Sequence, residues 1–204
     1  MATAARNIDP RVKRTRKLLQ QAFMELFREK GFASISIQDI TERATVNRAT
    51  FYAHFTDKYD LMDSIIREEF QRTVAEQLSP NPGWNITSLR ALIRATFGFL
   101  DQFHHGCKPT NTAFPLMERA IQQELADILL DWLKQAPAGN AASISAGRRV
   151  PAKTLASVLS WAIFGMAVQW SHSERTASAE EMTNQVLPVL TEGATRLAPG
   201  LSPE

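Results

Sequence analysis

From Pro10 to Lys30 the apolar residues Leu18, Leu19, Ala22, Phe23, Leu26 and Phe27 recur at the spacing of one helical face, which predicts an amphipathic helix. Gly31 supplies its C-terminal stop. A second helix starts at Ser36, whose hydroxyl can accept the Asp39 N–H, and Ile37, Ile40 and Ala44 form its inward face. Thr45, Val46 and Asn47 make a turn. Asn47 then caps a third helix running to about Phe55, with Phe51 and Phe55 facing the core. Asp57 caps a long fourth helix lined by Leu61, Ile65, Val74 and Leu78, which ends before S-P-N-P-G. Further helices are predicted from about Thr87 to His105, Pro115 to Gln135, Pro151 to His172 and Ala179 to Leu197. Ser178 and Glu181 form an S-x-x-E capping box, Pro188 should kink the last helix, and P-A-G-N-A-A-S-I-S-A-G reads as a loop. Alternating strand patterns are scarce, so the fold class is all-α.

The two short patterns between Ser36 and Phe55, abutting across three residues, have the layout of a helix-turn-helix. Its second helix is shaped to enter a DNA major groove. Charge supports that placement. Through Lys58 there are 11 basic and 6 acidic residues, against 12 and 15 beyond it. The basic end therefore coincides with the motif, as phosphate binding requires. The run R-V-K-R-T-R-K from Arg11 to Lys17, with Arg6 before it, either reaches the minor groove or screens phosphates. A single cysteine, Cys107, excludes an internal disulfide framework and suits a reducing cytoplasm. The N-terminus lacks a signal-peptide core, and the apolar stretch Leu155–Trp170 falls short of the roughly 20 residues of a membrane span. The expectation is a cytoplasmic protein without a membrane partner, with that stretch a buried helix.

The segment from about Arg11 to Arg72, a third of the chain, resembles the DNA-binding domain of the TetR family of bacterial transcriptional regulators. The resemblance is carried by L-F-R-E-K-G-F, I-Q-D-I-T-E-R-A, R-A-T-F-Y-A-H-F and D-K-Y-D-L. It implies a DNA-binding domain over 11–72, with the helix-turn-helix at 36–55, and a helical ligand-binding and dimerisation domain over 84–198. It further implies that Tyr52, His54 and Lys58 hydrogen-bond phosphates, chemistry that a phenol, an imidazole and an ammonium can all perform. Ser36 can offer its hydroxyl and N–H to the opposite flank of the groove. Base reading falls to Arg48 and Thr50, joined by Asn47 and Ala49. Arg binds guanine bidentately, and Thr or Ala meets a thymine methyl. Many members carry Gly in the turn where this chain has Thr45. A β-branched residue at positive φ would be strained there, so either the turn differs slightly here or Thr45 keeps an ordinary conformation.

Beyond the resemblance, Leu155, Leu159, Ala162, Ile163, Met166 and Trp170 line one late helix, and Met182, Val186, Val189, Leu190 and Leu197 line another. These stripes serve a homodimer interface, the core of one subunit, or both. A-I-F-G-M-A-V-Q-W looks like the dimerising helix of one TetR subgroup. The resemblance raises the prior of an effector cavity, for which Phe97, Phe103, His104, Phe114, Met117, Trp132 and Trp161 are the candidates; each also fits plain core. Without inward-facing charge, a neutral or aromatic effector is favoured. His104, His105 and Cys107 cluster at a helix end, where a metal or redox role competes with simple favourable electrostatics. Neither a catalytic motif nor a cofactor or metal signature is present, so an enzyme is not expected. The reading is a binder of a palindromic double-stranded DNA operator, a dimeric repressor released by a small molecule. The alternative is a helical adaptor or enzyme keeping a vestigial helix-turn-helix.

Overall fold

A computed structural model describes residues 9–106, 114–135, 150–172 and 177–197, without the side chains at 103–106, 114–116 and 193–197. The described residues form eight helices and no strand: α1 Pro10–Lys30, α2 Ile37–Arg43, α3 Arg48–Tyr52, α4 Lys58–Gln77, α5 Ile86–Gly106, α6 Phe114–Gln135, α7 Ala152–His172 and α8 Ala179–Leu197. They divide into two compact units. The first runs to Ile66 and includes the start of α6 through Met117. The second begins at Arg67, inside α4.

In the first unit α1 packs on α2 and α2 on α3. Helix α1 starts where the Asp9 carboxylate accepts the Arg11 N–H at 2.8 Å, with Pro10 in the first turn. It ends at Gly31, whose φ of 72° is open to glycine at little cost. Leu19, Ala22, Phe23 and Leu26 are buried, whereas Leu18 is 41% exposed and leaves the predicted apolar face. The helical rotation between neighbours carries Leu18 past the edge of the stripe that Leu19 occupies. Phe23 meets Phe32 edge-on at 6.2 Å, and Phe32 meets Tyr59 at 5.1 Å, joining α1, the single turn at Phe32–Ser34 and the start of α4. Two ion-pair groups tie α1 to α2: Arg43 grips Glu29 through both terminal nitrogens at 2.8 Å, and Lys30 sits 2.9 Å from Asp39.

In the second unit α7 packs on α5, and α8 on both. Phe70 of α4 meets Phe99 of α5 at 5.3 Å, and Phe97 meets Trp170 of α7 at 5.3 Å. Buried polar groups are paired: Gln122 donates to the Ser160 hydroxyl at 3.1 Å, which itself donates to the Ser157 carbonyl. The Ser178–Glu181 capping box forms as predicted, and α8 continues through Pro188. Helix α7 is longer than its apolar stretch suggested. Its 21 residues, with a mean hydropathy of 1.2, are by length and composition enough to cross a membrane. Half of that window is buried within its own unit, the mark of a core helix.

Candidate nucleic-acid interface

The recognition segment is built from two local caps. Ser36 and Asp39 form a capping box: the Asp39 N–H donates to the Ser36 hydroxyl at 3.1 Å, and the Ser36 N–H donates to the Asp39 carboxylate at 2.7 Å. The Ser36 hydroxyl and then Lys30 hold the Asp39 carboxyl well below the usual carboxylate range. The Ser36 hydroxyl also donates to Asp39 at 2.6 Å, so both donors expected to meet a phosphate are already engaged.

At the next cap the Asn47 side-chain oxygen accepts the Thr50 N–H at 2.7 Å and the Thr50 hydroxyl at 2.9 Å. The five residues Arg48–Tyr52 form α3, which stops three short of the expected Phe55. Beyond Tyr52 the chain closes in turns, with the His54 and Phe55 N–H groups both donating to the Phe51 carbonyl at 2.9 Å. Phe51 is fully buried and Phe55 nearly so, their rings 5.9 Å apart, with the Arg16 guanidinium 4.6 Å from the Phe55 ring. Seating Phe51 turns Arg48, Ala49 and Tyr52 outward, all exposed. The Arg48 guanidinium donates to the Tyr52 hydroxyl at 3.2 Å and lies over its ring. Thr50 and His54 are half-buried beside them.

Lys58 is held by the backbone of its own unit. Its ammonium donates to the carbonyls of Phe32, Ala33 and Ile35 instead of pointing away from the unit. Its four-carbon reach made this invisible in the sequence, because the acceptors lie more than 20 residues away.

Thr45 has φ 55°, the one positive φ among described residues other than glycine. The left-handed turn is therefore kept, with a β-branched residue in it. Its strain is roughly 1–3 kcal/mol. Thr45 is exposed, so glycine there loses no packing, but it enlarges the unfolded chain's entropy by about 0.4–1 kcal/mol. Thr45→Gly should stabilise the protein by about 1 kcal/mol in urea denaturation. A drop in the midpoint would mean that the turn carries no such strain.

In the second unit an open cleft of about 550 Å³ lies between α4, the α4–α5 link and α6. Of the candidate cavity residues, Trp132 lines it. Phe97 and Met117 are buried at 0% and 2% exposure, and Phe97 is packed against Trp170. Trp161 is 58% exposed, so it belongs to the surface and not to a cavity. The side chains of Phe103, His104, His105 and Phe114, with Cys107, Leu197, Arg6 and the P-A-G-N-A-A-S-I-S-A-G stretch, lie outside the described residues. The late apolar stripes separate in the structure. Leu155, Leu159, Ile163, Trp170, Val186 and Leu190 are buried in their own subunit. Val158, Trp161, Met166 and Val189 are exposed instead, the last at 72%. Met166 and Val189 border an apolar groove of about 180 Å³ with Ala162, Met182, Val186 and Leu190.

Residues 19–65 match the profile of the bacterial regulatory proteins of the tetR family. Over this segment the chain is similar to the TetR family. It is 44% identical over 72 residues, 35% of its length, to the HTH-type transcriptional regulator YxbF of Bacillus subtilis, covering 18% of that protein. It is 28% identical over 124 residues, 58% of its length, to the HTH-type transcriptional repressor DhaR of Mycobacterium sp., covering 62% of it. The match thus spans less than two thirds of either relative. A transcriptional regulator from Pseudomonas aeruginosa shares the fold across 91% of this chain and 94% of its own, with a TM-score of 0.55 at 18% identity. The TetR profile begins inside α1 and ends one residue short of the division between the two compact units.

Proposed function

We propose that the protein is a sequence-specific, DNA-binding transcriptional regulator, a homodimeric repressor released by a small molecule. The observation that carries this is the outward set Arg48, Ala49 and Tyr52 on one short helix anchored by buried Phe51. Arg48 reads bases from the major groove and Tyr52 and His54 take phosphates. Asn47 keeps its side-chain oxygen on the cap and leaves its amide nitrogen as the donor towards DNA. Thr50, whose hydroxyl serves the same cap, offers its methyl group, beside Ala49.

The exposed strip on α7 and α8 supports dimerisation. Gly165 lies within it, and a Cβ built there would meet nothing within 4 Å, so the subunit's own packing does not require glycine. A second helix approaching that spot does. A two-fold pair sets two recognition helices about 34–36 Å apart, on a palindrome. The α4–α6 cleft is the place for the effector. Glu124 and Asp131 line it, with no lysine, arginine or histidine among the described lining residues, so an anionic effector is disfavoured against a neutral or cationic one. A ligand that prefers subunits held in the wrong spacing lowers operator affinity by population shift, with α4, shared by both compact units, as the connecting element.

The test is fluorescence anisotropy on duplexes from upstream of the protein's own gene, with random DNA as competitor. Tight binding of two subunits to one duplex is expected; equal, steeply salt-dependent binding to every duplex argues for the adaptor alternative. Arg48→Ala should cost roughly 1–3 kcal/mol on the operator and little on random DNA. Equal losses on both would remove its base-reading role.

A further inference from the structure

The Lys58 ammonium has three N–H donors, and three carbonyl oxygens receive them: Ile35 at 2.7 Å, Phe32 at 3.1 Å and Ala33 at 3.4 Å. The same nitrogen lies 4.7 Å from the centre of the Phe32 ring and 5.9 Å from that of Tyr59, two aromatic faces that favour a cation. These acceptors belong to the single helical turn Phe32–Ser34 and the residue that closes it. A turn that short leaves its last carbonyls without helical partners, and an ammonium is the usual remedy. Ile35 is followed directly by Ser36, the cap of α2.

We propose that Lys58 is a positioning residue for DNA reading and takes no phosphate itself. It pins the α1–α2 turn to the start of α4, and so fixes the base of α2 on which α3 packs. Moving the ammonium to a phosphate breaks at least one charge-assisted hydrogen bond and strands the Ile35 carbonyl in part-buried surroundings, while the Phe32 carbonyl keeps the Ile35 N–H, so the exchange gains little. The consequence for DNA rests on the function proposed above; the strut itself is a property of the free protein.

The test has two arms. In the first, the full-length protein is pulsed with acetic anhydride, free and bound to a random-sequence duplex at low salt, and each lysine's labelling is read by mass spectrometry. Lys58 should label roughly tenfold more slowly than exposed Lys13 and Lys17, because its bonds must open first, with no further protection by DNA. Labelling at the rate of Lys17, with protection on DNA, overturns the proposal. In the second arm Lys58→Met keeps the apolar stem on Phe32 and Tyr59 and removes the donors. At a temperature where circular dichroism shows the variant fully folded, its DNA affinity should fall about tenfold with the slope of log affinity against log salt unchanged. Unchanged affinity, or a slope shallower by about one, overturns it. If no duplex binds at all, the regulatory reading fails while the free-protein labelling rate still decides the strut.

Discussion

Val189→Asp should split the proposed dimer into monomers at micromolar concentration and lower operator affinity by a factor on the order of 10² to 10⁴, the avidity that two linked half-site contacts confer. The size of the effect follows from the contrast within one helix. Val186 and Leu190 are buried in their own subunit, at 7% and 8% exposure, whereas Val189 is 72% exposed. Its apolar surface contributes little to the isolated subunit, so an aspartate there leaves the subunit's core intact. Across a two-fold interface built on Val158, Trp161 and Met166, the same aspartate buries an unpaired charge, and association cannot repay its desolvation. Analytical ultracentrifugation reads the mass and anisotropy the affinity. A variant that sediments as the wild-type dimer removes α7 and α8 from the interface. A monomer that still binds the operator with wild-type affinity removes the two-fold reading of DNA.

Phe51→Ala is the second large effect and acts on the first unit. Phe51 has no exposed surface, and its ring lies 5.6 Å from Tyr52 and 5.9 Å from Phe55. Truncating such a side chain costs about 3–5 kcal/mol, the transfer term plus the cavity left behind. Helix α3 has five residues, too short to persist without that anchor. The first unit should therefore melt earlier than the second, and DNA binding should vanish on every sequence. This separates it from Arg48→Ala, which leaves the unit folded and removes discrimination alone. Urea denaturation followed by far-ultraviolet circular dichroism, with DNA binding alongside, gives both readings. A variant with wild-type stability would show that Phe51 is not what holds the recognition helix.

Much of the recognition segment was legible because its signals are local. Ser36 finds Asp39 three residues on, and Asn47 finds Thr50 three residues on, so both caps followed from residue type and spacing. Gly31 at a positive φ and the bounds of α1 and α8 are of the same kind. The left-handed conformation of Thr45 was not legible, because a β-branched side chain argues for an ordinary φ or a different turn, and the structure shows neither. Tertiary closure of α3 on α2 outweighs the local preference.

What the sequence misplaced or left open shares one cause. Leu18 and Leu19, or Val186 and Val189, are equivalent as letters, and only the neighbouring helices decide which is buried and which faces water. Trp161 read as a cavity aromatic because periodicity marks a face without saying what covers it. A long flexible cation at a helix start has the chemistry of a phosphate donor, and the sequence does not show that the Lys58 ammonium is received by carbonyls of a turn 23 to 26 residues earlier. By itself the sequence determined the helices, their caps, the helix-turn-helix and the basic end, all set by interactions within a few residues. Only the tertiary structure decided which apolar faces stay exposed, where the cleft lies and which cation is held by backbone carbonyls. Those depend on contacts between segments far apart in the chain, whose distances no local pattern encodes.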